Sequence, residues 1–373
     1  MSPTFYNPAI MKGASEIPQD STNYLCSRSV RVLRTSPMTL IGVMGNGLDA
    51  ALSTDMGQTW QIQGNPGGSI TGFKDLVATM DNFASRYIVA WIEAGVLKFS
   101  STADGTTWDA SVNVAIGPYS AINLPLTMDV SLTGTYIIGV SVIPSAATEE
   151  QIALARSVDK GRTWTKIILP PTNGNAADDS QVVISAGKSP NWMAVWRSAG
   201  QIGYANDGDI FSALSSDDGV TWPTFAAVNK NDTFGDGSPS LRFDGMDWMT
   251  TWTRTNGDND ILASQYSGGK WGGASELNQH AGTDTAMDSE TESVITSMGE
   301  TQWFVAWSSH YLGNGNTYST DYAWYDGIQW NYGTNMTYQS GSQVRKILPF
   351  GTLFSLLRIR IDGIVVNLVY FHD

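Results

Sequence analysis

An eight-residue pattern returns along the chain at near-regular spacing, and it limits the fold more than any other feature. Ser215-Ser216-Asp217-Asp218-Gly219-Val220-Thr221-Trp222 reads S-x-D-x-G-x-T-W, as do Ser53 to Trp60 and Ser157 to Trp164. Ser101 to Trp108 moves the acid one place, to Asp104. Ser264 to Trp271 and Ala323 to Trp330 keep only the glycine and the tryptophan in place. These residue types suit a hairpin corner. Glycine takes a positive φ at no steric cost. The carboxylates of Asp55, Asp104, Asp159 and Asp217, with nearby hydroxyls, satisfy backbone N–H groups across the turn. The rings of Trp60, Trp108, Trp164, Trp222, Trp271 and Trp330 then fill gaps between neighbouring sheets. A carboxylate bonded to its own turn is scaffold, not chemistry.

A second repeat lies upstream of these turns: Tyr87/Trp91, Trp192/Trp196, Trp248/Trp252 and Trp303/Trp307, each pair four apart. Even spacing puts both rings on one face of a strand. The two repeats absorb every tryptophan except Trp324, so core packing explains them better than sugar stacking does. One unit reads as strands Ser238 to Phe243, Trp248 to Arg254 and Asp260 to Tyr266, with a fourth starting at Lys270. Four short antiparallel strands of this kind make one propeller blade. First strands recur near Arg28, Asp75, Pro125, Asp179, Ser238, Glu290 and Gln343. Trp60 and Trp330 are separated by five intervals of about 54 residues, so 373 residues hold close to seven units. The last unit lacks the octapeptide and a fourth strand. A strand from about Thr4 to Lys12 is expected to complete it and close the ring, which removes exposed edges. The expectation is one all-β domain, residues 1–373: a seven-bladed propeller, with six blades as the alternative.

Composition narrows function by exclusion. The formal net charge is −14 and charged residues are 15% of the chain. Nucleic acid and anionic membranes both call for a basic surface, so neither is an expected partner. No apolar run reaches membrane-spanning length; Leu353 to Phe371 is cut by Arg358, Arg360 and Asp362-Gly363. The single cysteine, Cys26, permits no internal disulfide and reads as a buried, inert thiol. The N-terminus has no basic-then-apolar leader pattern. Large folds need no disulfides, so an extracellular home, or one on a particle or cell surface, is the expected localisation.

The octapeptide resembles the Asp-box of sialidases and other Asp-box β-propellers. That resemblance implies a propeller over the whole chain and a site where three arginines hold a carboxylate. It further implies a tyrosine nucleophile with a glutamate partner and an aspartate acid/base. Arg28, in Ser27-Arg28-Ser29-Val30, stands where the first arginine would lie. Asp179-Ser180-Gln181-Val182-Val183 resembles the glutamate stretch with Asp in its place, and leads to Arg197 as the second arginine. Arg254 stands for the third. Leu348-Pro349-Phe350-Gly351-Thr352-Leu353 matches a stretch near the nucleophile, but the tyrosine position falls on Ser342, and Tyr338 is the nearest tyrosine upstream. The first unit offers only Gly45-Asn46-Gly47 where the acid/base loop should be. Sialidase catalytic domains have six blades. The resemblance is therefore fuller for architecture than for catalysis.

In such a blade, function belongs at the end where first strands begin and second strands finish. Glu93, Arg197, Arg254 and His310 follow second strands; Asp179, Asp236, Asp288 and Glu290 precede or open first strands. Mixed charges converging there suit a polar ligand, whereas a solvated rim of ion pairs is the plainer reading. Asn231 to Asp236 and Asn256 to Asp260 are oxygen-rich loops of a kind that can hold Ca²⁺, but they lack the EF-hand pattern and read as Asx turns. Three scattered histidines give no zinc spacing, so no metal or other cofactor is expected. The expected function is recognition of a glycan or a protein surface. A sialidase-like exo-glycosidase is the rival reading, and a structural part of a virion or surface assembly the third.

Overall fold

The computed structural model describes residues 9–10, 15–16, 30–36, 39–44, 49–53, 61–62, 67, 73–145, 148–169, 178–200, 207–229, 233–255, 259–278, 288–299, 301–311, 317–333, 343–350, 353–360 and 363–370. Among them every regular element is a β-strand. Four antiparallel sheets of four strands follow one another. The first holds Val30–Ser36, Thr39–Met44, Asp49–Ser53 and Gln61–Ile62; the second Phe73–Asp81, Arg86–Glu93, Val96–Thr102 and Val112–Asn113. The third holds Tyr119–Val130, Tyr136–Pro144, Gln151–Ser157 and Thr165–Ile168; the fourth Asp178–Ala186, Trp192–Ala199, Asp209–Ser215 and Thr224–Ala227.

A nine-stranded fifth sheet comprises two such meanders whose ladders are linked by a parallel pairing of Asn259 with Ser289. Its first half is Gly235–Phe243, Trp248–Thr255 and Asn259–Ser267, edged by Lys270–Trp271 and Ser275–Glu276. Its second half is Asp288–Gly299, Gln302–Tyr311, Thr317–Tyr325 and Trp330–Gly333. The sixth sheet is Gln343–Phe350, Leu353–Arg360 and Gly363–Tyr370, and the N-terminal segments Ala9–Ile10 and Ser15–Glu16 both pair with Gly363–Tyr370.

Among the described residues second strands are buried on both faces: seven of the eight residues of Arg86–Glu93 are buried. Sheets stacked face to face leave no solvent side, which is why these strands read as near-continuous apolar runs. Trp91, Trp192, Trp196, Trp252 and Trp303 have no exposed surface at all.

Neighbouring first strands lie side by side without a shared ladder, and side chains pin them instead. The Asp75 carboxylate accepts from Leu126 N, Thr127 Oγ1 from Ile184 N, and Asp129 from Ala186 N at 2.9 Å. Gln181 Oε1 accepts from Ser238 N at 2.7 Å, Ser240 Oγ from Ile295 N, and Asp244 from Thr301 N. Most of these pins recur at a separation of 57 residues, the length of one unit. The buried Leu126 N–H so capped avoids the cost of an unmet donor. Partners ascend together in both strands, so adjacent first strands run in the same direction. Second strands therefore end, and third strands begin, at one end, the loop face. The hairpin turns lie at the other, the turn face.

On the turn face the octapeptides form self-bonded corners. Asp159 accepts from Thr163 N, Thr163 Oγ1 and Ser157 Oγ, and Asp217 accepts from Thr221 N, Thr221 Oγ1 and Ser215 Oγ. Trp164 Nε1 and Trp222 Nε1 donate to the carbonyls of Gly161 and Gly219. Trp164 meets Phe99 of the preceding sheet edge-on at 5.2 Å. The copy ending at Trp108 corrects the expectation of a displaced aspartate. Thr102 Oγ1 donates to Asp104, and Asp104 accepts from Thr106 N and Thr107 N. The hydroxyl role has passed from Ser101 to Thr102 and the turn is one residue shorter. Ser101 Oγ instead donates to Asp109.

Candidate functional site at the loop face

First strands enter the loop face through β-bulges, among them those between Ser180 and Val183 and between Gly237 and Ser240. Gln181 and Ser238 hold positive φ values of 56° and 50° there. A bulge re-aims the residues around it, and such backbone persists only where neighbours hold it. Here the Gln181–Ser238 hydrogen bond is that hold.

The second ring of each aromatic pair ends in this region, and its indole decides what the acids do. Trp196 Nε1 donates to Asp179 at 3.1 Å, Trp252 Nε1 to Asp236 at 2.8 Å, and Trp91 Nε1 to Glu93 at 3.4 Å. Asp236 also accepts from Asn229 Nδ2 at 2.6 Å and forms an ion pair with Arg254 Nε at 3.3 Å. Asn229 Nδ2 bonds Asp209 as well, and its Oδ1 caps Ile210 N. Glu93 forms an ion pair with Lys98 at 2.8 Å. Asp179 is 4% exposed, and burial pushes its carboxyl up to about 6 against the opposing hydrogen bonds from Ser198 and Trp196.

Two arginines are held at the junction of the fourth and fifth sheets. Arg197 Nη2 donates to the carbonyl of Asp207 at 3.3 Å. Its guanidinium lies flat on Gly208, where an added Cβ would sit 2.5 Å from Nη2, and its stem passes Gly237, where a Cβ would come within 3.3 Å of Cδ. Two glycines thus form a sleeve for this side chain. Arg254 lies over the Phe234 ring, 5.7 Å from its centroid.

The structure adds residues that sequence reasoning missed. Glu150 accepts from Asn123 Nδ2 at 2.6 Å and stands beside Asp178 and Arg197; burial raises its carboxyl above the ordinary range, with Asn123 and Arg197 opposing. Asp207 keeps both carboxylate oxygens away from solvent. Glu150 sits before a third strand with no motif around it, and Asp207 closes a polar loop. No spacing announced either. The side chains of His310, Asp288 and Glu290, and the whole of Arg28, Tyr338, Asp55 and Trp60, lie outside the described residues. Among the described residues no three His, Cys, Asp or Glu side chains converge as a metal site. What the arrangement offers chemically is a polar surface carrying two immobilised guanidinium groups beside a protonatable glutamate.

No protein-family model and no curated protein sequence matches the chain. Solved structures do. The NanB sialidase of Streptococcus pneumoniae superposes with a TM-score of 0.51 at 10% identity, covering 90% of this chain and 83% of that one. YCF48 bound to a D1 peptide gives 0.51 at 15% identity, covering 96% and 98%. The α-L-arabinanase of Penicillium chrysogenum complexed with arabinobiose gives 0.50 at 11% identity, covering 80% and 93%. The fold is a β-propeller like that of these structures.

Proposed function

We propose that this chain is a non-catalytic recognition module that binds acidic glycans at the loop face of a single seven-bladed ring, displayed outside the cell or on a particle surface. Support for the ring comes from cyclic packing of the first strands. Each packs against the next, and Gln343–Phe350 packs against Val30–Ser36. The N-terminal segments complete the last unit, so the two chain ends share it.

The observation that carries the reading is the engagement of the acids. Asp179 and Asp236 are buried and bonded to the indoles of Trp196 and Trp252, and Asp236 also holds Arg254. Both hold the scaffold, and Asp236 orients the Arg254 guanidinium, whereas general acid–base chemistry needs a carboxyl in reach of substrate. Arg197 and Arg254 then supply the charged contacts to a sugar carboxylate. A glycan array with the full-length protein tests this. Binding of acidic glycans without turnover, lost in Arg197→Ala, is expected; no binding to any glycan overturns it.

A sialidase-like exo-glycosidase is favoured by one observation: Asp179 holds a proton to about pH 6, as a general acid does. Arg28, Arg197 and Arg254 would then hold the substrate carboxylate, with Tyr338 as nucleophile and Asp179 its partner. Cleavage of a fluorogenic sialoside by wild type, abolished in Tyr338→Phe, would establish it. A structural role is favoured by the turn face. Phe83, Leu132, Val158, Val220, Met246 and Ile328 all project from hairpin turns there, between 52% and 86% exposed. Self-assembly in solution, abolished by Leu132→Asp with Ile328→Asp, would favour that role.

A further inference from the structure

The junction of the fourth sheet with the first half of the fifth opens on the molecule's flank into a cavity of about 610 Å³, within the range of small-ligand sites. Stacked sheets diverge outward, so large side chains must fill the outer gap. At this junction the outer positions are Ala226, Ala227, Gly272, Gly273 and Ala274, and they leave it open. The adjoining octapeptide copy is the degenerate one, with Gly268-Gly269 at its corner and no aspartate.

The lining has a consistent character. Met193 and Leu214 give it apolar surface, and Tyr266 and Trp271 give it an aromatic wall. That wall is preset: Trp271 Nε1 donates across the junction to Ser212 Oγ at 2.8 Å, and the ring meets Tyr266 edge-on at 5.2 Å. Two cationic side chains line the cavity, Arg254, which also holds Asp236, and Lys270; among the described lining residues there is no Asp or Glu, in a chain of net charge −14. Their positions give it length. Arg254 pairs in register with Asp260 and Lys270 with Ser267, at opposite ends of one strand. Seven residues of strand span about 23 Å. The cavity is therefore a narrow trough with a cation towards each end and aromatic rings along it.

We propose that this trough binds a linear oligosaccharide containing carboxylated sugars. The C–H faces of the sugar rings lie on Tyr266 and Trp271, and carboxylates meet Arg254 and Lys270. A single sugar cannot reach both cations, so affinity grows with chain length. The site is separate from the loop-face reading and shares only Arg254 with it.

Calorimetry on the full-length protein with tetragalacturonic acid tests the proposal, with galacturonic acid, maltotetraose and tetraglutamate as comparisons. Tetragalacturonic acid should bind at least roughly tenfold tighter than each of the three. Lys270→Glu, a change at an exposed side chain, should weaken it roughly tenfold or more, and Ala226→Phe should do so by filling the trough. Repeated in the Arg197→Ala background, which removes the loop-face contact, the same ordering and the same losses should remain, which separates this site from the loop face. Absence of tetragalacturonic acid binding in that background, or indifference there to Lys270→Glu, would each overturn the assignment. Equal binding of tetraglutamate would overturn the saccharide and assign the trough to acidic peptides.

Discussion

Asp179 keeps its proton to about pH 6 because the fold buries it against Trp196 and gives it no cation of its own. An unfolded Asp ionises near pH 4. Below that pH both states are protonated; as pH rises from about 4 to about 6 the unfolded state ionises first, so folding loses stability across that window. The aspartates of the hairpin corners work the other way. Burial opposes it, yet the Thr221 hydroxyl and N–H hold Asp217 down to about 2, and the N–H groups of Thr107 and Thr106 hold Asp104 well below the usual range. Their contribution is present above pH 4 and is lost as pH falls through the lowered values. Asp179→Asn should flatten the decline in urea midpoint between pH 4 and pH 6 while leaving the acid limb in place; an unchanged decline would refute the assignment. Glycine gives a second single-residue contrast. A Cβ on Gly161, at φ 80°, would lie 2.2 Å from the Phe99 ring, whereas one on Gly245, at φ 112°, meets nothing within 4 Å. Gly161→Ala should cost about 2–3 kcal/mol in chemical denaturation, and Gly245→Ala about 1 kcal/mol, the backbone strain alone.

At the scale of the element, the hairpin corner is a local device with a distant function. Trp222 is 5% exposed and packs with Ile137 and Leu154 of the preceding sheet. Trp222→Ala should destabilise by about 3–5 kcal/mol, read as a drop in melting temperature. Asp218, next to the corner aspartate, proves to be the stronger tether between sheets. It forms an ion pair with Arg156 at 3.0 Å and accepts from Thr135 Oγ1 and Trp192 Nε1. The sequence marked Asp217 because the residue repeats in every full copy, and passed over Asp218 because Arg156 and Thr135, two of its partners, come from another unit. The same holds for the pins between first strands. Asp129 is half-buried, and desolvation raises its carboxyl above the ordinary range with Arg242 opposing. Asp129→Ala leaves Ala186 N without that acceptor and should cost about 1–3 kcal/mol, measured by denaturant unfolding.

For the molecule as a whole, the pairing of Ala9–Ile10 and Ser15–Glu16 with Gly363–Tyr370 covers an edge that would otherwise template aggregation. Deleting residues 1–18 should lower the melting temperature and produce aggregates in light scattering. A deletion variant as stable and monodisperse as the full chain would sink the shared last unit. The two faces differ in what they offer. Large apolar side chains project from the turn face beside self-bonded aspartates, while Arg197, Arg254 and the bulged first strands gather at the loop face.

The strand units, their spacing and the hairpin corners were legible in the chain because each rests on residues close in sequence: a hydroxyl, an acid, a glycine and a ring within eight positions. Strand boundaries of the unit beginning near Ser238 came within a few residues for the same reason. The loop-face cluster was legible only in part. Arg197, Arg254, Asp179 and Asp236 flank recognisable strands, but that Trp196 and Trp252 hold the two acids, and that Gly208 and Gly237 sheathe Arg197, required the sheets to be brought together. Glu150, Asn123, Asp207 and the trough beside Trp271 carry no local pattern. They arise where separate units meet, and the chemistry of a junction depends on distances that no single stretch of chain contains.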